Sequence, residues 1–277
     1  MTAEQSSDAD PAVLGALAAT VAREAGALLL RGLPGTREVA TKSTDTDPVT
    51  EMDRAAEALI VRRILEARPH DAVLGEEGGG RDGTSGVRWV IDPLDGTVNY
   101  LYRIPAFAVA IGVEVDGVTV AGAVYDPSRD ELFTAAAGRG AHLNGAAIRP
   151  SIEHRLTHAL TGTGFGYDTA VRAQQATVLA RVLPRIRDLR RAGSAALDLC
   201  AVACGRLDAY FERGVQLWDV CAASLIVREA GGRSETLDGG PIGPDRTWIA
   251  ANASLFPAFR ALLAEATGPA AGAEPAP

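Results

Sequence analysis

Trp89-Val-Ile-Asp-Pro-Leu-Asp-Gly-Thr-Val-Asn99 is the stretch on which the reading of this chain turns. Val87 to Ile91 is a short apolar run bounded by turn residues, the mark of a strand, and it is expected to stop at Asp92-Pro93. Asp92 and Asp95 stand three apart across a proline-stiffened turn, so both side chains can point at the same pair of cations. Pro93 has no N–H and fixes the turn, which leaves the Leu94 carbonyl free as a further oxygen ligand. Gly96 and Thr97 then offer backbone amides at a helix or turn start, a natural cradle for an anion. Metals beside an anion cradle are the working parts of phosphoryl-transfer chemistry.

Upstream, Ala72 to Leu74 reads as a strand running into Gly75-Glu76-Glu77, and a glycine-rich loop, Gly78 to Gly86, leads on to Val87. If these strands pair side by side, their ends gather Glu76, Asp92 and Asp95. Carboxylates grouped in this way repel one another in a low dielectric, a cost that cations remove. Ligation by oxygen alone selects hard divalent ions, Mg²⁺ above all, and four histidines without zinc-type spacing argue against zinc. Thr50-Glu51-Met52-Asp53 opens a helix as a capping box, with Met52, Ala56, Leu59, Ile60 and Ile64 as its apolar stripe. Taken singly, Asp53 reads as a cap, Asp219 as a helix N-cap, and Glu76-Glu77 as a solvated strand end. Taken jointly, they read as a site.

The first helix is expected from Asp10-Pro11, with Leu14, Leu17, Val21, Ala25 and Leu28 on one face and Gly32 with Pro34 as its stop. A β meander follows the central motif: Phe107 to Val115, a turn at Asp116-Gly117, Val118 to Tyr125, Glu131 to Ala137, and a second tight turn at Asn144-Gly145. After Pro150 the pattern alternates, with strands at 159–163, 186–190, 207–212, 233–236 and 247–251, and helices at 170–183, 194–204, 219–230 and from Ser254. This layout predicts an α/β (α+β layered) fold: an α+β half over 10–150 carrying the metal motifs, and an α/β half over 151–267 completing the site. Residues 1–9 and 268–277 are expected to be disordered ends.

The chain has 277 residues, 27 basic and 35 acidic, for a formal net charge of −8. That balance argues against nucleic acid or an anionic membrane as the main partner. The longest mostly apolar run, Ala106 to Val113, is too short to cross a bilayer, and Met1 to Asp10 does not read as a secretory leader. Cys200, Cys204 and Cys221 read as buried thiols, so a cytoplasmic protein is expected. His154 and His158 read as an exposed helical pair, and Trp218 as packing beneath Asp219. The arginines at 181, 185, 187, 190 and 191 read as one solvated or subunit-contact face, and Gly162-Thr-Gly-Phe-Gly166 as a glycine-rich turn near the site. The P-loop pattern is absent.

Five segments in the same order resemble the inositol monophosphatase family, a set of Mg²⁺-dependent, lithium-sensitive phosphatases. They are Lys42 with Asp47-Pro-Val-Thr-Glu-Met-Asp53; Gly75-Glu-Glu-Gly78; Trp89 to Asn99; Gly193-Ser-Ala-Ala196; and Trp218-Asp-Val220 continuing to Glu229-Ala-Gly-Gly232. The resemblance spans roughly residues 12–265 and implies the α-β-α-β-α sandwich of the inositol monophosphatase and fructose-1,6-bisphosphatase type. It implies two or three Mg²⁺ per subunit, with Glu76, Asp92 and the Leu94 carbonyl on the first, Asp92, Asp95 and Asp219 on the second, and Glu76 shared by a third. Thr97 and Asp53 would orient the attacking water, with Glu76 counted among the catalytic residues. The Gly96 and Thr97 amides would hold the phosphate, and Asp95, Gly193, Ser194, Ala195, Glu212 and Asp219 would complete the substrate site. Lys42, the single lysine, and Glu77 would support it. Ser194 stands where many relatives have threonine. The implied reaction is hydrolysis of myo-inositol monophosphate by a cytoplasmic homodimer. Histidinol phosphate, fructose bisphosphate and 3′-phosphoadenosine 5′-phosphate are the alternative substrates, and partnership with the transcription or translation machinery is the alternative of another class.

Overall fold

Asp10 accepts a hydrogen bond from the Ala12 amide at 2.9 Å and Pro11 presets its own φ, so helix α1 (Pro11–Gly32) starts where its capping residues require. In the computed structural model residues 9–33, 39–41 and 48–268 are described. Lys42, and the expected disordered ends apart from Ala9 and Gly268, lie outside the described residues. The buried face of α1 is Leu14, Ala18, Val21, Ala22, Ala25, Gly26 and Leu29, with Leu17 and Leu28 only half-buried. The stripe is therefore rotated from the expected one toward the small residues, which let the helix settle close on the sheet. At 22 residues α1 is long and apolar enough to cross a bilayer, which the count of continuous apolar runs missed. Its apolar face is instead part of the protein core.

A short antiparallel ribbon, β1 (Val39–Thr41) with β2 (Pro48–Thr50), was not expected from the sequence. It delivers Thr50 as N-cap of α2 (Glu51–Ala67), and the capping box with Asp53 forms as expected. Ala56, Ile60 and Ile64 bury beside α1.

The large sheet runs in the order β3 (Ala72–Gly75), β4 (Val87–Asp95), β5 (Ala108–Val115), β6 (Val118–Asp126), β7 (Glu131–Ala136), β8 (Ala141–Leu143), β9 (Ala146–Ala147). Only the β3–β4 pair is parallel. Strand β4 does not stop at Asp92-Pro93. Pairing to β5 breaks after Asp92↔Ala110 and resumes at Asp95↔Ala108. The missing N–H of Pro93 interrupts the ladder, and an irregularity absorbs it without ending the strand.

A short helix, α3 (Thr97–Leu101), follows β4. The smaller sheet has the order β11 (Asp188–Arg190), β10 (Leu160–Thr163), β12 (Ala209–Arg213), β14 (Thr247–Asn252), β13 (Gly232–Thr236). It is parallel across β11–β10–β12 and antiparallel beyond.

Helices α4 (Thr169–Val182), α5 (Ala195–Ala203), α6 (Leu217–Glu229) and α7 (Phe256–Thr267) complete the stack. One core joins α1 and α2 to the large sheet. A second lies around α5 and α6, between the other face of that sheet and β12 and β14. A third joins the outer face of the small sheet to α7 and the end of α4. The result is the expected α-β-α-β-α sandwich. Helix α6 is buried continuously from Val220 to Val227, as a helix in a middle layer must be. It rests against glycines of the large sheet: a Cβ on Gly122 would lie 2.9 Å from the Ala222 Cα.

The three cysteines are free thiols, two of them buried. His154 and His158 are not a helical pair. His154 precedes the 3₁₀ turn Leu156–His158, and the two Nδ1 atoms flank Glu153 at 3.9 and 3.4 Å.

Candidate active site

Parallel pairing of β3 with β4 sets Gly75 beside Ile91, so the next residues, Glu76 just past the end of β3 and Asp92 still on β4, stand side by side. The Glu76 amide donates to the Ile91 carbonyl at 3.2 Å, and the two carboxyls are near enough to share a hydrogen bond. Asp92 is 2% exposed and accepts from the Leu94 amide at 3.0 Å. Burial, reinforced by Glu76, Asp95 and Asp219, holds its pKa well above the ordinary carboxylate range.

Asp95 ends β4 against the N-terminus of α5. Ser194 Oγ donates to Oδ2 at 2.5 Å, the Ala196 amide donates to Oδ2 at 2.7 Å, and the Ala195 amide reaches Oδ1 at 3.3 Å. Burial still pushes Asp95 up to about 6, against the pull of Ser194 and Ala196. Asp219 is not an N-cap but the third residue of α6, where it closes a capping box by accepting the Gln216 amide at 2.7 Å. Burial, then Asp95 and Glu76, raise it well above the ordinary value.

Gly96 has φ of 99°, a left-handed turn that favours glycine, and a Cβ there would crowd the Ala106 carbonyl at 3.0 Å. The turn starts α3, where the Thr97 hydroxyl lies 3.1 Å from Asp53 Oδ1 and 3.2 Å from the Leu94 carbonyl, with one proton to give. With that proton given to Asp53, the Leu94 carbonyl keeps its lone pairs for another partner. Asp53, fully buried, takes the Thr50 amide on its other oxygen at 2.8 Å. It serves as cap and as Thr97 partner at once.

A cleft of about 490 Å³ collects Glu76, Asp92, Leu94, Asp95, Gly96, Thr97, Gly193, Ser194, Ala195, Glu212 and Asp219 on one lining. Asp53 lies behind it through Thr97, and Glu77 is not part of the lining. As the side chains stand, no three His, Cys, Asp or Glu among the described residues converge tightly enough to enclose one ion. Asp95 is turned to α5, Asp219 to Gln216 and Asp92 to Leu94. The donor set nevertheless fits a hard cation. The clustered side chains are carboxylates held above the ordinary range by burial first and by one another second, and the ligands on offer are all oxygen.

Glu212 on β12 accepts the buried Tyr210 hydroxyl at 2.6 Å, and burial pushes it up to about 7. Trp218, half-buried, is part of the cleft lining. The expected arginine face is dispersed. Arg181 donates to the Ala266 and Gly268 carbonyls, Arg185 pairs with Glu265, Arg190 pairs with Asp188, and Arg191 lines the cleft.

Sequence reasoning missed Arg191, Asp198, Asn99 and Glu57. Asn99 Nδ2 donates to the Ala106 and Ala192 carbonyls at 2.7 and 2.8 Å, tying the Gly193 loop to the turn after α3. Glu57 accepts the Glu77 and Gly79 amides at 2.9 and 2.8 Å and so fixes the loop behind Glu76. A buried acid inside an apolar helical run was the only signal for Asp198. A larger cavity of about 660 Å³ shares Glu212 and Arg213 with the cleft but has none of the clustered carboxylates at Asp92, so the chemistry belongs to the smaller one.

Residues 10–268 match the inositol monophosphatase family. An inositol-1-monophosphatase of Mycobacterium bovis is 48% identical over 245 residues, covering 82% of this chain and 84% of that one. The Nus factor SuhB of Escherichia coli is 43% identical over 231 residues, covering 81% and 85%. Among solved structures, the extragenic suppressor protein suhB of Bartonella henselae superposes with a TM-score of 0.85 at 37% identity, covering 91% of this chain and 98% of its own. An inositol-monophosphate-bound SaIMPase-II superposes with a TM-score of 0.74 at 29% identity, covering 90% and 92%. The family match spans nearly the whole described length, and the chain belongs to the inositol monophosphatase family of phosphatases.

Proposed function

We propose that the chain hydrolyses myo-inositol monophosphate to myo-inositol and phosphate, with Mg²⁺ as its cofactor. The observation that carries this reading is the gathering of Glu76, Asp92, Asp95 and Asp219 on one cleft that also holds Gly96, Thr97 and Glu212. Glu76, Asp92, the Leu94 carbonyl, Asp95 and Asp219 would hold two or three ions per subunit. Bound there, Mg²⁺ would supply Lewis-acid stabilisation of the phosphate and leaving-group charge and an acidified water. Asp53, by accepting the Thr97 proton, would leave the lone pairs of Thr97 to accept from a water and orient it. The Gly96 and Thr97 amides suit a phosphate oxygen, and the Glu212 carboxyl suits neighbouring hydroxyls. A fold neighbour with inositol monophosphate bound supports the substrate class. A cytoplasmic homodimer sensitive to Li⁺ belongs to the same reading.

Phosphate release from inositol, histidinol, fructose and adenosine phosphates, with Mg²⁺ and with EDTA, tests it. The inositol ester should be turned over at least ~10-fold faster than the others, and EDTA should stop it. Asp92→Asn should abolish activity with the fold intact, and equal turnover by variant and parent at saturating Mg²⁺ refutes the assignment. A second reading, partnership with the transcription machinery, is favoured by the 43% identical relatives named Nus factor SuhB. Binding to purified RNA polymerase by a chain without phosphatase activity would favour it over the first.

A further inference from the structure

Asp198 is an acidic side chain of the cleft that the carboxylate cluster does not use. It lies in the first turn of α5, is 4% exposed, and lines the cleft. Its neighbours each have a donor: the Leu94 amide for Asp92, Ser194 for Asp95, the Gln216 amide for Asp219, the Tyr210 hydroxyl for Glu212. Among the described residues nothing donates to the Asp198 carboxyl. Buried polar groups are almost always paired, and one left unpaired beside a cavity calls for a partner supplied by what enters it.

Glycines in and just after β10 make room for the two acid side chains. A methyl group on Gly162 would meet Leu207 Cδ1 at 2.8 Å and the Asp198 Cγ at 3.4 Å, and one on Gly164 would overlap the Glu212 carboxylate. Arg191, on the same lining, acts on both acids. Two acceptors and one cation around a single opening fit a neutral molecule bearing several hydroxyls. They do not demand a cationic substrate, because Arg191 offsets the acids and burial keeps Asp198 a neutral carboxyl, which still accepts through its carbonyl oxygen, up to about 8.

We propose that Asp198 contacts the substrate, accepting hydrogen bonds from ring hydroxyls beside those taken by Glu212, and thereby selects a polyhydroxylated leaving group. This rests on the polyol-phosphate reading of the site. A site built to hydrogen-bond a hydroxyl rejects an analogue lacking it, because its buried acceptor is then stranded.

The test is the ratio of kcat/KM for myo-inositol monophosphate to that for phenyl phosphate, an ester without ring hydroxyls. Asp198→Ala should lower the ratio roughly 10- to 100-fold, mainly through KM of the inositol ester, with phenyl phosphate changed by less than about twofold. Asp198→Asn, which preserves the shape and one acceptor, should lower it about 3- to 10-fold and remains informative if the alanine variant fails to fold. Equal loss on both esters marks a structural role and overturns the proposal. A parent that prefers the polyol ester, with both variants retaining that preference, overturns the proposal alone. A parent with no such preference overturns the reading of the site and this inference together.

Discussion

Replacing Asp198 by asparagine should change stability in a way that depends on pH. Burial pushes the carboxyl from 3.8 up to about 8, with Glu212 and Asp95 adding to the shift and Arg191 opposing it. Between those values the unfolded chain has released its proton while the folded chain keeps it. The folded state then binds more protons, so stability falls as pH rises through the window. Each pH unit there costs about 1.4 kcal/mol, so the parent loses ~4 kcal/mol between about pH 5 and about pH 8. An amide has no such proton. Burying it without an acceptor costs about 1–3 kcal/mol, but by the same amount at every pH. The stability of Asp198→Asn minus that of the parent should therefore widen by ~4 kcal/mol across the range, or roughly 10 °C in unfolding midpoint. Urea or thermal unfolding of both proteins in EDTA, at closely spaced pH values, reads this difference directly. A difference that stays flat, or narrows as pH rises, refutes the reasoning.

Mg²⁺ binding should expel protons, because Asp92, Asp95 and Asp219 all sit above the ordinary carboxylate range. Calorimetry in two buffers of different ionisation heat should show a release that grows as pH falls from about 8 to about 6, and a midpoint that climbs with Mg²⁺; neither change would mean the ions bind elsewhere. Glu57→Ala strands the Glu77 and Gly79 amides and should cost ~2–3 kcal/mol by urea unfolding, with lower kcat because Glu76 loses its support. Unchanged stability would show that other contacts hold the loop. Asp71→Asn weakens bonds from Arg68, Ser85 and Trp89, which outweigh burial and keep that carboxyl below its ordinary 3.8. Its contribution is present above 3.8 and is lost as pH falls through the depressed value. The variant should be ~2 kcal/mol weaker at neutral pH, and the gap should close in acid; a gap that persists there counts against the ion-pair account.

Most of the architecture was legible because local signals agreed with one another. Asp10-Pro11, Thr50 to Asp53, Asp116-Gly117 and Asn144-Gly145 each mark a boundary by a physical rule, and each marks one here; the two turns have positive φ at both residues. Pro93 misled, because a proline ends a regular ladder while the strand around it can continue through an irregularity. The carboxylates of the cleft were legible through their order along the chain, since strand ends and helix starts meet at one edge of a layered fold. Arg191 and Asn99 were not, because their roles come from a loop meeting an element some ninety residues away, as Asn99 does with Ala192. Asp198 sits in a helix that otherwise reads as core, and its bearing on the cleft depends on glycines in a different strand. Glu57 lies off the apolar stripe of α2, and only the folded loop discloses what it holds.

The acids of the cleft arrive from separate tiers of the sandwich: Asp92 and Asp95 from the seven-stranded sheet, Asp219 from the central helix, Glu212 from the five-stranded sheet. A ligand gripped by all of them works as a rivet driven through the stack. Neither the first nor the last half of the chain owns a complete set of jaws, so a molecule that frays in one tier loses its grip everywhere at once. Occupancy of the cleft and cohesion of the layers are in that sense a single property.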